Sequence, residues 1–382
     1  MKVLFILPTL AFGGLERMQV TLANKLAANG YDVTVMILSP VDNLRDELDS
    51  RVRFIYKPPK RHLGNNIPYI RHRYYDDGMW ETRASARQLY QYYVGGEEAY
   101  DVEIAFFRGM PVKIISGSAN RRAVHLAWVH SDFTKALGYR NNFQSPDAVF
   151  EAYKSMNRVV CVSKQAQRGF CAAIGDTGNL QTIYNMIPAD EIRRKAEEAP
   201  AVNVKKAALH LVLVGRCTDN IKGQTRLIGA VSRLHDEGKD VSLCLVGDGA
   251  DFDLIKQTVS DRQATAYITL TGEQKNPYPY VKEADLLVCA SYYEGYNLTV
   301  AEALLLGVPA LSTDCTGPNE ILDRGKYGMI VDNSEEGLYN GIKTFAEQPE
   351  LLKEYQKKAM RRQNFFDEDK IFKQISALFK GD

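Results

Sequence analysis

The chain opens on KVLFIL, Lys2 to Leu7, an apolar run without polar alternation. Such a run is what a central parallel strand needs when both of its faces are covered. Gly13-Gly14 follow, and then a helix is expected from about Leu15 to Ala28, with Met18, Leu22 and Leu26 spaced for one buried face. Asn29-Gly30 closes it, and Asp32 to Leu38 reads as the next strand. This strand–turn–helix–strand unit commits the chain to an open α/β sheet, in which ligands bind at the carboxyl ends of the strands. The start superficially resembles a signal peptide. However, it carries only Lys2 as a cation, is broken by Pro8 and Thr9, and runs into an amphipathic helix, so it reads as a core strand and a glycine turn.

The pattern continues through Val102–Phe107, His125–Val129, Val159–Val162 and Gln181–Tyr184. The stretch 189–206 is polar, contains Pro200 and lacks core periodicity, which makes it the expected linker. Beyond it the theme returns: strands at Leu209–Val214, Val241–Val246, Tyr267–Leu270 and Asp285–Ala290, with a helix from about Gly223 to His235. The expectation is two doubly wound α/β halves, 1–188 and 207–364. After Glu350 the pattern is helical to the end, with Leu351, Tyr355 and Ala359, then Ile371, Ile375 and Leu378.

A formal net charge of +1 in 382 residues gives no reason to expect nucleic acid as a partner. The cysteines at 161, 171, 217, 244, 289 and 315 form no C-x-x-C and no zinc-site spacing. They read as buried thiols of a reducing, cytoplasmic compartment. No run reaches the roughly 18 apolar residues of a membrane span.

Between residues 51 and 75, Arg51, Arg53, Lys57, Lys60, Arg61, Arg71 and Arg73 stand without an acid, interleaved with Phe54, Tyr56, Tyr69, Tyr74 and Tyr75. This stretch suits an anionic membrane surface or a phosphorylated acceptor. It equally suits a solvated loop whose charge is balanced by acids such as Glu97, Glu98 and Asp101.

The most informative stretch for chemistry is Ser291 to Pro309, SYYEGYNLTVAEALLLGVP. Asn297 occupies an N-cap position, so the amides of Leu298, Thr299 and Val300 are expected to be free for an anion. Glu294 lies at the mouth of that site, and Glu302 lies just over one turn into the helix, on the face of Leu298. Arg216, at the end of one strand, and Lys222, at the start of the next helix, fall at the same carboxyl edge. Together with the helix start they make an anion clamp for a diphosphate. The Gly13-Gly14 turn permits close backbone approach to a ligand although G-x-G-x-x-G is absent. His130 follows Ala127-Trp128-Val129 at a strand's carboxyl end, which makes it a candidate functional residue. The chemistry that fits is transfer of a group from a diphosphate leaving group, with Arg216, Lys222 and the helix dipole stabilising the departing charge.

These residues resemble the retaining glycosyltransferases of family 4, also called group 1 transferases. The match is carried by E-x7-E in SYYEGYNLTVAEALLLGVPALSTDCTGPNEIL, with FGGLE, WVHSDF, VSK, IYNMIP, VGRCTDNIKG, LVGDGAD and LTGEQKNPYPYVKEADLLVCAS in family order along the chain. The resemblance implies an α/β architecture of the GT-B type, two doubly wound Rossmann-like domains facing a cleft, with a C-terminal helix (about 365–382) returning to the first. It implies Arg216 and Lys222 on the diphosphate, Glu302 on the ribose, Glu294 on the transferred sugar and backbone amides near Asn297, Leu298 and Thr299 on phosphate. Gly13 and Gly14 would lie on the donor phosphate from the other side, His130 on the sugar, and Thr271-Gly272 beside the base.

No metal and no cofactor are expected, and no D-x-D stands in a comparable position. The implied activity is transfer from a nucleotide-sugar, UDP-linked by expectation, to a glycan or lipid-linked saccharide in surface-polysaccharide assembly. The protein would be cytoplasmic, with residues 51–75 as a candidate peripheral contact with the inner membrane face. Two rival readings are a nucleotide-sugar epimerase of similar fold and a non-catalytic partner subunit.

Overall fold

The computed structural model describes residues 1–58, 84–96 and 99–380. It divides into two compact units, Met1–Met186 with Asp369–Asp382, and Ile187–Glu368.

The first unit holds a seven-stranded, wholly parallel sheet. Its strands are β1 (Lys2–Leu7), β2 (Asp32–Ile37), β3 (Arg53–Tyr56), β4 (Val102–Ala105), β5 (Val124–Val129), β6 (Arg158–Cys161) and β7 (Leu180–Thr182), in the order β3-β2-β1-β4-β5-β6-β7. Val3 to Leu7 are completely buried, as a strand covered on both faces must be. The beginning of the basic 51–75 stretch is thus an edge strand; Lys60, Arg61, Arg71 and Arg73, like Glu97 and Glu98, lie outside the described residues. The C-terminal helix Glu368–Ala377 adds Ile371 and Ile375 to the buried residues, and Phe379 beyond it meets Tyr31 edge-on at 5.7 Å.

The second unit carries six parallel strands, β8 (Leu209–Val214), β9 (Val241–Val246), β10 (Ile268–Leu270), β11 (Leu286–Cys289), β12 (Ala310–Thr313) and β13 (Met329–Val331), in the order β10-β9-β8-β11-β12-β13. The direction of strand succession reverses between β8 and β11, so a crevice opens at their carboxyl ends. Arg216 leaves β8 and Glu294 leaves β11, which places the two loops side by side at that switch point. The 189–206 stretch differs from a plain linker: Ala189–Ala196 is a helix of the second unit with Ile192 and Ala196 buried, and the Val202 amide donates to the Tyr280 hydroxyl at 2.9 Å. Only two of its eight helical positions are buried, so its apolar signal is lost among charges.

Among the described residues, no helix is long and apolar enough to cross a membrane.

Candidate functional site

The loop after β11 is held from three directions before it reaches Glu294. The Tyr292 amide donates to the Ile221 carbonyl at 2.8 Å, and Thr313 at the end of β12 donates to the Ser291 carbonyl at 2.6 Å. Asn333, beyond β13, donates to the Tyr292 carbonyl at 2.9 Å. Arg226, buried, donates to the Ala290 carbonyl and to Asn333 Oδ1 and stacks under the Tyr292 ring at 3.7 Å from its centroid. Cation–π contact and charge-assisted bonds together make this a rigid mount.

On that mount, Glu294 Oε1 accepts three hydrogen bonds: from Lys222 Nζ at 2.6 Å, Ser291 Oγ at 2.6 Å and Asn297 Nδ2 at 3.1 Å. Oε2 receives none from the described residues and is open to solvent. The carboxylate is therefore fixed through one oxygen and presents the other. Burial lowers the proton affinity of the Lys222 ammonium, but the Glu294 charge and hydrogen bond outweigh that and hold it above its ordinary value. The ammonium is therefore charged at neutral pH.

Lys222 reaches this position from the short helix Asp219–Lys222, which ends at Gly223 in the left-handed region, and its side chain lies over Gly215. A Cβ on Gly215 would stand 3.6 Å from Lys222 Cε. Arg216 is exposed, with no ion pair among the described residues. The Gly247-Asp248-Gly249 turn after β9 presses on the same loop: at φ 141° a Cβ on Gly247 would lie 2.0 Å from the Gly215 carbonyl, so only glycine fits. The Gly247 amide in turn donates to the Gly272 carbonyl at 2.9 Å, which joins the Thr271-Gly272 segment to the edge; Gly272 faces open space.

Asn297 is an N-cap, as its position suggests, in the left-handed conformation at φ 73°. Its Oδ1 accepts from the Val300 amide at 3.0 Å, so the expectation of three free amides is corrected to two: Leu298 and Thr299 keep N–H groups that no described acceptor takes, whereas Val300 is satisfied by the cap itself. Glu302, in the helix Leu298–Leu305, accepts from the Tyr278 hydroxyl at 3.3 Å. Neither Ser291 nor Tyr278 stands out in the sequence as a site residue. Ser291 is traceable to the rule that a polar residue just past a strand's carboxyl end lines the crevice, while Tyr278, 24 positions from Glu302, leaves no local signal.

The other three residues belong to the first unit. Gly13 precedes the helix Gly14–Ala28 without a side-chain cap, and Gly14 is exposed. The Arg17 amide closes the first turn on the Gly13 carbonyl at 2.9 Å. His130 follows β5 and packs against the Phe106 ring at 4.8 Å. Its proton affinity is pushed down to about 3 by burial, opposed by a hydrogen bond to the Phe106 backbone and helped by the charge of Arg108. The imidazole is neutral at physiological pH. Nε2 is buried without a partner among the described residues.

Two parallel doubly wound domains, one with a carboxylate, cations and a helix start at its switch point, define the class: a protein of two Rossmann-like units. The profile of Glycosyltransferase Family 4 matches residues 12–191, and that of the Glycosyl transferases group 1 matches residues 208–348. An uncharacterized glycosyltransferase of Methanocaldococcus jannaschii is 28% identical over 276 residues, 64% of this chain and 66% of that protein. The N-acetylgalactosamine-N,N'-diacetylbacillosaminyl-diphospho-undecaprenol 4-alpha-N-acetylgalactosaminyltransferase of Campylobacter jejuni is 30% identical over 193 residues, 50% of this chain and 51% of the relative. The match thus spans about half to two thirds of the length of these curated relatives. Among solved structures, HepE of Anabaena in complex with UDP-glucose superposes with a TM-score of 0.76 at 18% identity, covering 100% of both chains. The chain belongs to the family 4, group 1 glycosyltransferases and has their GT-B fold.

Proposed function

We propose that this protein is a retaining glycosyltransferase that moves a hexose or acetylhexosamine from a UDP-linked donor to a saccharide or lipid-linked saccharide, in the assembly of surface polysaccharide. The observation that carries the reading is Glu294, whose Oε1 is fixed by three donors while Oε2 stays open beside a lysine and two unclaimed helix amides. A sugar diphosphate matches this set: hydroxyl for carboxylate, phosphate for ammonium and amides. As the glycosidic bond breaks, negative charge grows on the diphosphate, and Lys222, Arg216 and the helix start lower its energy. Glu294 serves, through Oε2, as a hydrogen-bond acceptor to the sugar and is not assigned as a nucleophile. Glu302, with Tyr278 behind it, is proposed for the ribose and Thr271-Gly272 for the base. In the first unit, the unpartnered Nε2 of His130 suits a sugar hydroxyl. The Campylobacter relative, named for a transfer to an undecaprenol-linked diphosphate saccharide, and the UDP-glucose complex of HepE support the donor and acceptor classes.

The test is thermal denaturation with UDP, UDP-hexoses, UDP-acetylhexosamines and GDP-mannose, followed by anomer assignment of the product by NMR. A UDP-sugar should raise Tm, since a ligand bound only by the native state stabilises it by RT ln(1 + [L]/Kd). Turnover should persist in EDTA, and the product should keep the donor's α configuration. Stabilisation by GDP-mannose alone would overturn the donor assignment, and a β product would overturn retention.

A further inference from the structure

The side chain of Asn297 has a role distinct from that of its backbone. All four of its amide hydrogen-bonding positions are used: Oδ1 accepts from the Val300 amide at 3.0 Å and from Thr299 Oγ1 at 2.8 Å, and Nδ2 donates to Glu294 Oε1 at 3.1 Å and to Cys289 Sγ at 3.1 Å. The network also decides which end of the amide is which, because a flipped group would set nitrogen against the Val300 N–H and oxygen against the carboxylate. The backbone at φ 73° narrows the choice further, since among residues with side chains Asn and Asp tolerate that region best.

We propose that Asn297 is a positioning residue for sugar transfer: its side-chain amide holds Glu294 Oε1 so that Oε2 faces a hydroxyl of the transferred sugar. The proposal rests on the reading of Glu294 as the sugar-binding carboxylate. Lys222 cannot serve both partners equally. When a diphosphate enters, the ammonium has a stronger counter-charge to meet, and its hold on Glu294 weakens. Ser291 and Asn297 are then the neutral donors that keep the carboxylate oriented. Asn297 has the further property of linking that carboxylate to the helix start through a single planar amide. The sugar-binding and phosphate-binding groups thus keep a fixed spacing, as pre-organised sites require. Lys222 and Ser291 provide no such link.

Asn297→Asp is the sharpest test. It keeps the volume, the tolerance of positive φ and the capping oxygen, but turns the donor facing Glu294 into a like-charged oxygen. Calorimetry should find UDP affinity within about 3-fold of the parent, because the helix start is intact, while kcat falls by about 10–100-fold. The deficit should shrink on acidification, as the introduced carboxyl takes up a proton and regains a donor, its proton affinity having been raised by the neighbouring charge. In a Glu294→Gln background the same change should cost nothing further, since it acts through that carboxylate. Asn297→Gly, which relieves the backbone without restoring any donor, should also lose kcat and so guards against a folding artefact.

Parent-like kcat in Asn297→Asp with a disabled Glu294→Gln would overturn the positioning role alone. A full, multiplicative loss in the double variant would do the same. Parent-like turnover of Glu294→Gln would overturn the underlying reading of the carboxylate, and this inference with it.

Discussion

The carboxyl edges of the two sheets are built from the same kind of turn, yet they spend their polar groups differently. In the second unit, Glu294, Lys222, Ser291 and Asn297 bond to one another, and the loop beneath them is pinned by Ile221, Thr313 and Asn333. In the first unit, Gly13 leaves its helix uncapped, and the buried Nε2 of His130 has no partner among the described residues. A buried polar atom left unbonded costs free energy, on the order of 1–3 kcal/mol, unless something arrives to satisfy it. The contrast separates two ways of preparing a site. One orients a carboxylate in advance through neutral and charged donors; the other keeps unused hydrogen-bonding capacity.

The contrast breaks most readily at the cations. Lys222→Ala or Arg216→Ala should each lower kcat by about 100-fold or more, through loss of leaving-group stabilisation. Steady-state rates close to the parent would remove both from the transfer step. A smaller effect is expected at the proposed ribose position: Glu302→Ala should weaken UDP by about 10-fold, and Tyr278→Phe, which removes the 3.3 Å hydrogen bond behind it, by about 2–3-fold. Equal losses in the two variants, measured by calorimetry, would show that the tyrosine is more than a support.

The first unit is probed by pH, with the smallest effect at neutrality. The folded protein favours neutral His130, with its proton affinity down from 6.5 to about 3, so the unfolded chain takes up a proton first. Stability from this group is complete above about pH 6.5 and is lost as the pH falls toward 3. Replacing His130 by Gln should therefore flatten the acid side of the Tm profile and leave Tm at pH 8 little changed. An unaltered acid limb would mean that other groups govern it.

Much of this architecture is legible in the chain because apolar runs covered on both faces carry a strong local signal. Lys2–Leu7, Leu209–Val214 and Val241–Val246 stand as strands where the pattern puts them. Where the signal is diluted it fails. β12, with Ser312 and Thr313 in four residues, and β13, with three, become strands only because neighbours supply their hydrogen bonds. The helix at Ala189–Ala196 is hidden for a related reason: its charges dominate, and burial against the second unit selects the helix.

The sequence by itself determined the two doubly wound units, the N-cap at Asn297 and the presence of Arg216 and Glu294 in loops after strands, with Lys222 and Glu302 in the helical segments that follow, since each follows from spacing along the chain. Only the tertiary structure decided which groups meet. That Lys222 closes on Glu294 across 72 positions, that Tyr278 stands behind Glu302, and that the Val300 amide is already taken depend on the adjacency of β8 and β11 and on side-chain directions. Hydrogen bonds act over about 3 Å, and no periodicity in a sequence encodes a distance of that size between residues so far apart in the chain.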